Sequence, residues 1–125
     1  MLNFAGQPEK ALGWAEKARR LHALFPGGDY VAVIGWTYQL LGQYEKAIAP
    51  LKQAIGYAPH HPGFRALLAV SYSKVGREEE ARAEAAELLR LNPQYSVEVD
   101  RQRRPYKDPA VLDRYLAALR KAGLQ

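Results

Sequence analysis

The sequence predicts an all-α fold, a solenoid of antiparallel helix pairs ending in a C-terminal capping helix. Three observations point there. A shift of 34 residues superposes 28–61 on 62–95 with seven identities: Ala32/Ala66, Tyr38/Tyr72, Gly42/Gly76, Glu45/Glu79, Ala47/Ala81, Ala49/Ala83 and Pro59/Pro93. Apolar residues recur at helical spacing, as in Val31, Ile34, Tyr38 and Leu41. Glycine and proline punctuate both copies at matching places, Gly42 and Gly76 between helices and Pro59 and Pro93 after them.

In chain order, Gly6, Ala11, Ala15 and Ala18 follow the small-residue spacing of a pair's second helix, which predicts a helix over Pro8–Leu24. The helix that should precede it falls before Gly6, where only Met1–Ala5 stand, so the spacing predicts a chain cut from a longer one. Leu2, Phe4, Leu12 and the near edge of 31–36 are then expected to turn apolar surface outward. Soluble proteins seldom leave a large patch of that kind open. A homodimer through this N-terminal face is the expected cover.

In repeat 28–61 the first helix ends at Gly42, and the second begins near Glu45, an acid favoured at a helix N-terminus. Ala47, Leu51 and Ala54 give that second helix a mostly small face, which lets helix axes approach closely. Pro50 lies inside it and lacks the amide donor for the Lys46 carbonyl, so a local kink is expected. Repeat 62–95 places Leu67, Val70 and Lys74 on its first helix and Ala81, Ala85 and Leu88 on its second, which starts at Glu78-Glu79-Glu80. Residues 96–125 read as a linker and a degenerate capping unit. Asp108 is an N-cap with Pro109 at the first helical position. Leu112, Tyr115, Leu116 and Leu119 then form an i, i+3, i+4, i+7 stripe closed by Gly123. This last helix, over 109–122, is expected to cover the open end of the array. The organisation is one domain: a partial repeat over 1–27, repeats 28–61 and 62–95, and the capping unit 96–125.

Composition narrows the function. The chain has 125 residues, 48% hydrophobic and 25% charged, which is a globular balance. It has no cysteine, which removes disulfide scaffolds, thiolate zinc sites and thiol nucleophiles. No apolar run is long enough to span a bilayer. The first residues carry neither a basic leader nor an apolar core, so a cytoplasmic location is expected. Residues 1–100 hold 11 basic and 11 acidic side chains, and the net charge of +5 comes wholly from the last 25, with 7 basic and 2 acidic.

The repeats resemble the tetratricopeptide repeat. Gly35, Tyr38, Gly42, Tyr44, Ala47, Leu51, Ala54 and Pro59 supply its small, aromatic, turn and terminating residues in the first copy. Ala69, Tyr72, Gly76, Ala81 and Pro93 do so in the second, where Glu78, Ala85 and Leu88 depart from the pattern. A narrower resemblance lies in Asn92-Pro93-Gln94-Tyr95-Ser96, Arg104-Pro105-Tyr106-Lys107-Asp108-Pro109, Asp113-Arg114-Tyr115-Leu116 and Leu119-Arg120-Lys121-Ala122-Gly123-Leu124. These segments look like the C-terminal repeat regions of bacterial class III adenylate/guanylate cyclases and related multidomain regulators. Nothing in the chain resembles a cyclase catalytic domain.

The resemblance implies an inner groove lined by the first helix of each pair: Asp29, Ala32, Trp36, Gln39 and Leu40, then Gly63, Ala66, Val70, Ser73 and Lys74. Trp36 beside Leu40 is either an exposed anchor for a partner or a packing residue against a neighbouring helix. The groove lacks the Lys/Asn constellation with which chaperone adaptors of this family clamp a peptide carboxylate. Arg101, Arg103, Arg104 and Lys107 either meet an anionic partner or solubilise a linker and pair with Glu84, Glu87 or Asp100. Only four charges cluster there, so nucleic-acid binding is not expected. His60-His61 reads as a pair of turn residues rather than a metal site, and His22 as a partly exposed packing residue. Glu78 and Arg82 suit an i,i+4 pair on a solvated face. Ser71, Ser73 and Ser96 have no adjacent base, and there is no glycine-rich phosphate loop. The sequence therefore predicts a non-catalytic protein-interaction module without a cofactor. The alternatives are a structural self-association element and an anion-binding adaptor acting through the tail.

Overall fold

The structure, a computed structural model, describes residues 8–24, 27–103 and 109–125, without the side chains of residues 8, 9, 11, 12 and 103. Among the described residues it contains seven helices and no strand: α1 Pro8–Leu24, α2 Gly28–Leu40, α3 Tyr44–Tyr57, α4 Pro62–Lys74, α5 Glu78–Leu91, α6 Val97–Arg103 and α7 Pro109–Lys121. It is an all-α, tetratricopeptide-like solenoid in which α2 pairs with α3 and α4 with α5, while α1 packs on α2 and α3 on α4.

Backbone chemistry at the turns explains the pairing. Gly42 and Gly76 have φ of 76° and 82°, the left-handed region that glycine enters without a Cβ penalty. The Gly42 N–H donates to the Gln39 carbonyl at 2.9 Å and the Gln43 N–H to that of Tyr38 at 2.8 Å. Gly76 and Arg77 do the same to Ser73 and Tyr72, and Gly123 and Leu124 to Arg120 and Leu119. Each helix end thus satisfies its last carbonyls in a Schellman turn. At the start of α4, His61 is the N-cap. Its Nδ1 accepts the Phe64 N–H at 3.3 Å while its ring stacks on Phe64 at 3.9 Å.

The small faces do what the pattern requires. Ala47, Leu51 and Ala54 on α3, and Ala81, Ala85 and Leu88 on α5, are buried. Gly35 is needed because a Cβ there would lie 2.6 Å from Leu51 Cγ and 3.3 Å from the Ala47 carbonyl oxygen. The 34-residue equivalent, Ala69, is buried with its methyl accommodated. The helix α3 runs through Pro50 as one element from Tyr44 to Tyr57.

One expectation is corrected. Part of the segment read as linker is helix α6. Ser96 Oγ accepts the Val99 N–H at 3.3 Å, the Tyr95 hydroxyl donates to the Asp100 carboxylate at 2.8 Å, and Val97 is buried. The Val97 N–H also donates to the Gln125 carbonyl at 2.8 Å, tying α6 to the segment after α7. The capping helix α7 packs chiefly on α4, with α6 beside it. Its stripe residues Leu112, Tyr115, Leu116 and Leu119 enter the core cluster that holds Trp36, Leu68 and Val70. A stripe fixes which face of a helix is buried, not which neighbour buries it.

On the N-terminal side, Leu2, Phe4 and the Leu12 side chain lie outside the described residues. On the described part of that helix Trp14 and Leu24 are exposed, Leu24 at 73%.

Candidate protein-interaction cleft

The 34-residue period sets Trp36 on α2 opposite its equivalent Val70 on α4, and Leu40 opposite Lys74. These four, together with Gln39, line one cleft of about 280 Å³. Tyr44, at the start of α3, lies at the end next to the Leu41-Gly42 turn. The facing wall is α7, through Val111, Arg114 and Tyr115. Five of the predicted groove residues therefore converge, and the capping helix completes the site.

Trp36 is not the exposed anchor that one of its two readings required. It retains 3% exposure, because α7 crosses the inner face and Trp36 joins the same core cluster as Leu112 and Tyr115. Gln39 is buried as well. Its Nε2 donates to the Leu67 carbonyl at 2.5 Å and to Ser71 Oγ at 2.8 Å, which fastens α2 to α4 and commits the amide. Val70 and Ser73 are buried. Leu40 is half-buried and Lys74 exposed, so these two meet solvent at the cleft. The Lys74 ammonium lies 5.8 Å from the centre of the Tyr44 ring, within cation–π range. Asp29 is exposed but lies elsewhere, in a second cleft with Gly28, Tyr30, His61 and Phe64.

The basic tail is divided. Arg101 pairs with Asp113 at 2.9 Å and Glu98 at 3.8 Å, not with Glu84, Glu87 or Asp100. Glu84 instead takes Arg65 at 3.0 Å, and Glu87 takes Arg90. Arg104, Lys107 and the Arg103 side chain lie outside the described residues. Sequence reasoning missed the α7 wall of the cleft. Tyr115 was legible as a stripe residue, and Arg114 as the cation beside it, but nothing in the spacing aimed them at α2.

The remaining polar clusters are structural. His22 Nδ1 accepts the Gly27 N–H at 3.3 Å, and its ring meets Tyr57 edge-on at 5.7 Å. Among the described residues no three His, Asp or Glu side chains gather so as to hold a metal ion. The Arg77 guanidinium, through its hydrogen bond, holds the Glu80 carboxyl below the usual carboxylate range, and Arg90 does the same to Glu87. Both pairs are on the surface, one helical turn apart, and are ordinary helix-face ion pairs. Arg82 and Glu78 form the expected i,i+4 pair at 3.8 Å.

Residues 39–100 match the family model of the tetratricopeptide repeat. No curated protein matches the chain. Repeats of this family mediate protein–protein interactions and are typically non-catalytic. No described helix is long and apolar enough to cross a membrane.

Proposed function

We propose that this repeat array is a non-catalytic interaction and assembly module that presents the cleft between α2, α4 and α7 to a protein or peptide partner. The observation that carries the reading is the convergence of Leu40 and Lys74 above a buried floor of Trp36 and Val70, with α7 as the opposite wall. A rigid apolar floor with a polar rim is how protein interfaces are built. The likeness of 92–124 to cyclase C-terminal regions supports a place in a bacterial, cytoplasmic signalling protein, as the regulatory or assembly part.

Leu40→Glu tests the site, because Leu40 is half-buried and lines the cleft without belonging to its fully buried floor. A peptide selected from a display library against the natural chain should bind this variant at least about tenfold more weakly, a loss of roughly 1.4 kcal/mol. Melting should move little. Binding that survives the change would place the partner on another surface.

Self-association is a second reading, favoured by the exposure of Trp14 and Leu24 on α1. A dimer through that face should bury on the order of 1,200–2,000 Å² in total. Sedimentation should then show a concentration-dependent dimer that Trp14→Glu with Leu24→Glu dissociates. A monomer at high micromolar concentration would end this reading.

A further inference from the structure

We infer that the cleft selects a partner segment presenting an acidic side chain beside an apolar one, with Lys74 and Arg114 as the cations that receive the carboxylate. The inference rests on the interaction reading above and specifies its partner. The cleft lining carries two cations and no Asp or Glu. Lys74 and Arg114 are both exposed, and neither forms an ion pair with a described residue. The acid nearest to Arg114 in sequence, Asp113, is held by Arg101 at 2.9 Å. By contrast Arg19, Arg65, Arg77, Arg90 and Lys121 each sit within 4 Å of a carboxylate. Among the described residues, Lys74 and Arg114 thus stand as two unpaired cations within one lining that holds no acid.

The walls between the cations are apolar and aromatic: Leu40, Leu41, Val70, Val111 and the rings of Tyr44 and Tyr115. Low-dielectric walls strengthen the attraction of a fixed charge for an incoming one and steer its approach. A volume of about 280 Å³ falls just below the roughly 300–1,000 Å³ of small-molecule sites. It suits one or two peptide side chains better than a cofactor. Arg114 can offer a carboxylate a two-pronged donor, and Lys74 a single charge.

The test uses the full chain, labelled for NMR, with two blocked peptides, acetyl-Gly-Glu-Leu-Glu-Tyr-Gly-amide and the same peptide with Gln for both Glu. The acidic peptide should shift amide signals of 36–44, 70–74 and 111–115 and bind at least tenfold more tightly than its neutral twin. Lys74→Glu with Arg114→Glu should erase that difference while leaving the helical melt unchanged, since both side chains are exposed. Added salt should weaken the acidic peptide alone. Equal binding of the two peptides in the cleft overturns the inference and leaves the interaction reading standing. Shifts confined to other surfaces, or none at about 5 mM peptide, a range in which affinity is barely 3 kcal/mol, also overturn it. The Leu40→Glu comparison then decides separately whether the interaction reading survives.

Discussion

Leu116→Asp should detach α7 from α4 and lower the melting temperature by about 10 °C or more. Leu116 has no exposed surface and lies in the cluster shared by α4 and α7. A carboxylate there has no partner, and burying it costs several kcal/mol unless the helix leaves. At roughly 3–5 °C per kcal/mol for a domain of this size, either route is visible in a thermal scan followed by circular dichroism. Leu116→Met, which nearly conserves volume, should cost below about 1.5 kcal/mol and serves as the control. A melting temperature unmoved by the aspartate would show that α7 does not hold the inner face.

Trp36→Ala should cost about 3–5 kcal/mol, the range for emptying a large aromatic from a core. The residue is buried on the face where α7 crosses, so the loss should appear as a much earlier melt with helical signal retained at low temperature. An anchor standing in an open groove would behave otherwise, with stability kept and partner binding lost. A melt within a degree or two of the natural chain would restore that open-groove picture.

Much of the array is legible because its determinants are local. The span of α1 and the starts of α4, α5 and α7 follow from Pro8, Pro62, Glu78 and Pro109. The turns follow from Gly42, Gly76 and Gly123, which need a backbone conformation other residues resist. The small faces of α3 and α5 follow from alanines that only close packing explains. The helix α6 was hidden by its brevity and its charges. Its available signal was Ser96, a good N-cap three residues before Val99, with Glu98 and Asp100 in the first turn. The candidate site was half legible. The groove that the resemblance implies groups Trp36, Leu40, Val70 and Lys74, which line one cleft, but it says nothing of what crosses above them. The burial of Trp36 and the entry of Arg114 and Tyr115 depend on α7 meeting α4, a contact between segments far apart in sequence.

That contact also sets an order of events during synthesis. In an open array each helix pair meets only its sequence neighbours, so packing can follow the chain as it is made. Here Val70 waits for Tyr115 before the inner face is closed. At roughly 5–20 residues per second, the intervening stretch of about 45 residues takes on the order of 2–9 s to emerge. Loop closure over that distance adds little free energy, about 0.6 kcal/mol per doubling of length, so the delay is a matter of timing and not of equilibrium. During that interval the nascent chain displays Trp36 and Val70 without their lid, and the ribosome itself creates a window in which the array is stickier than the finished protein.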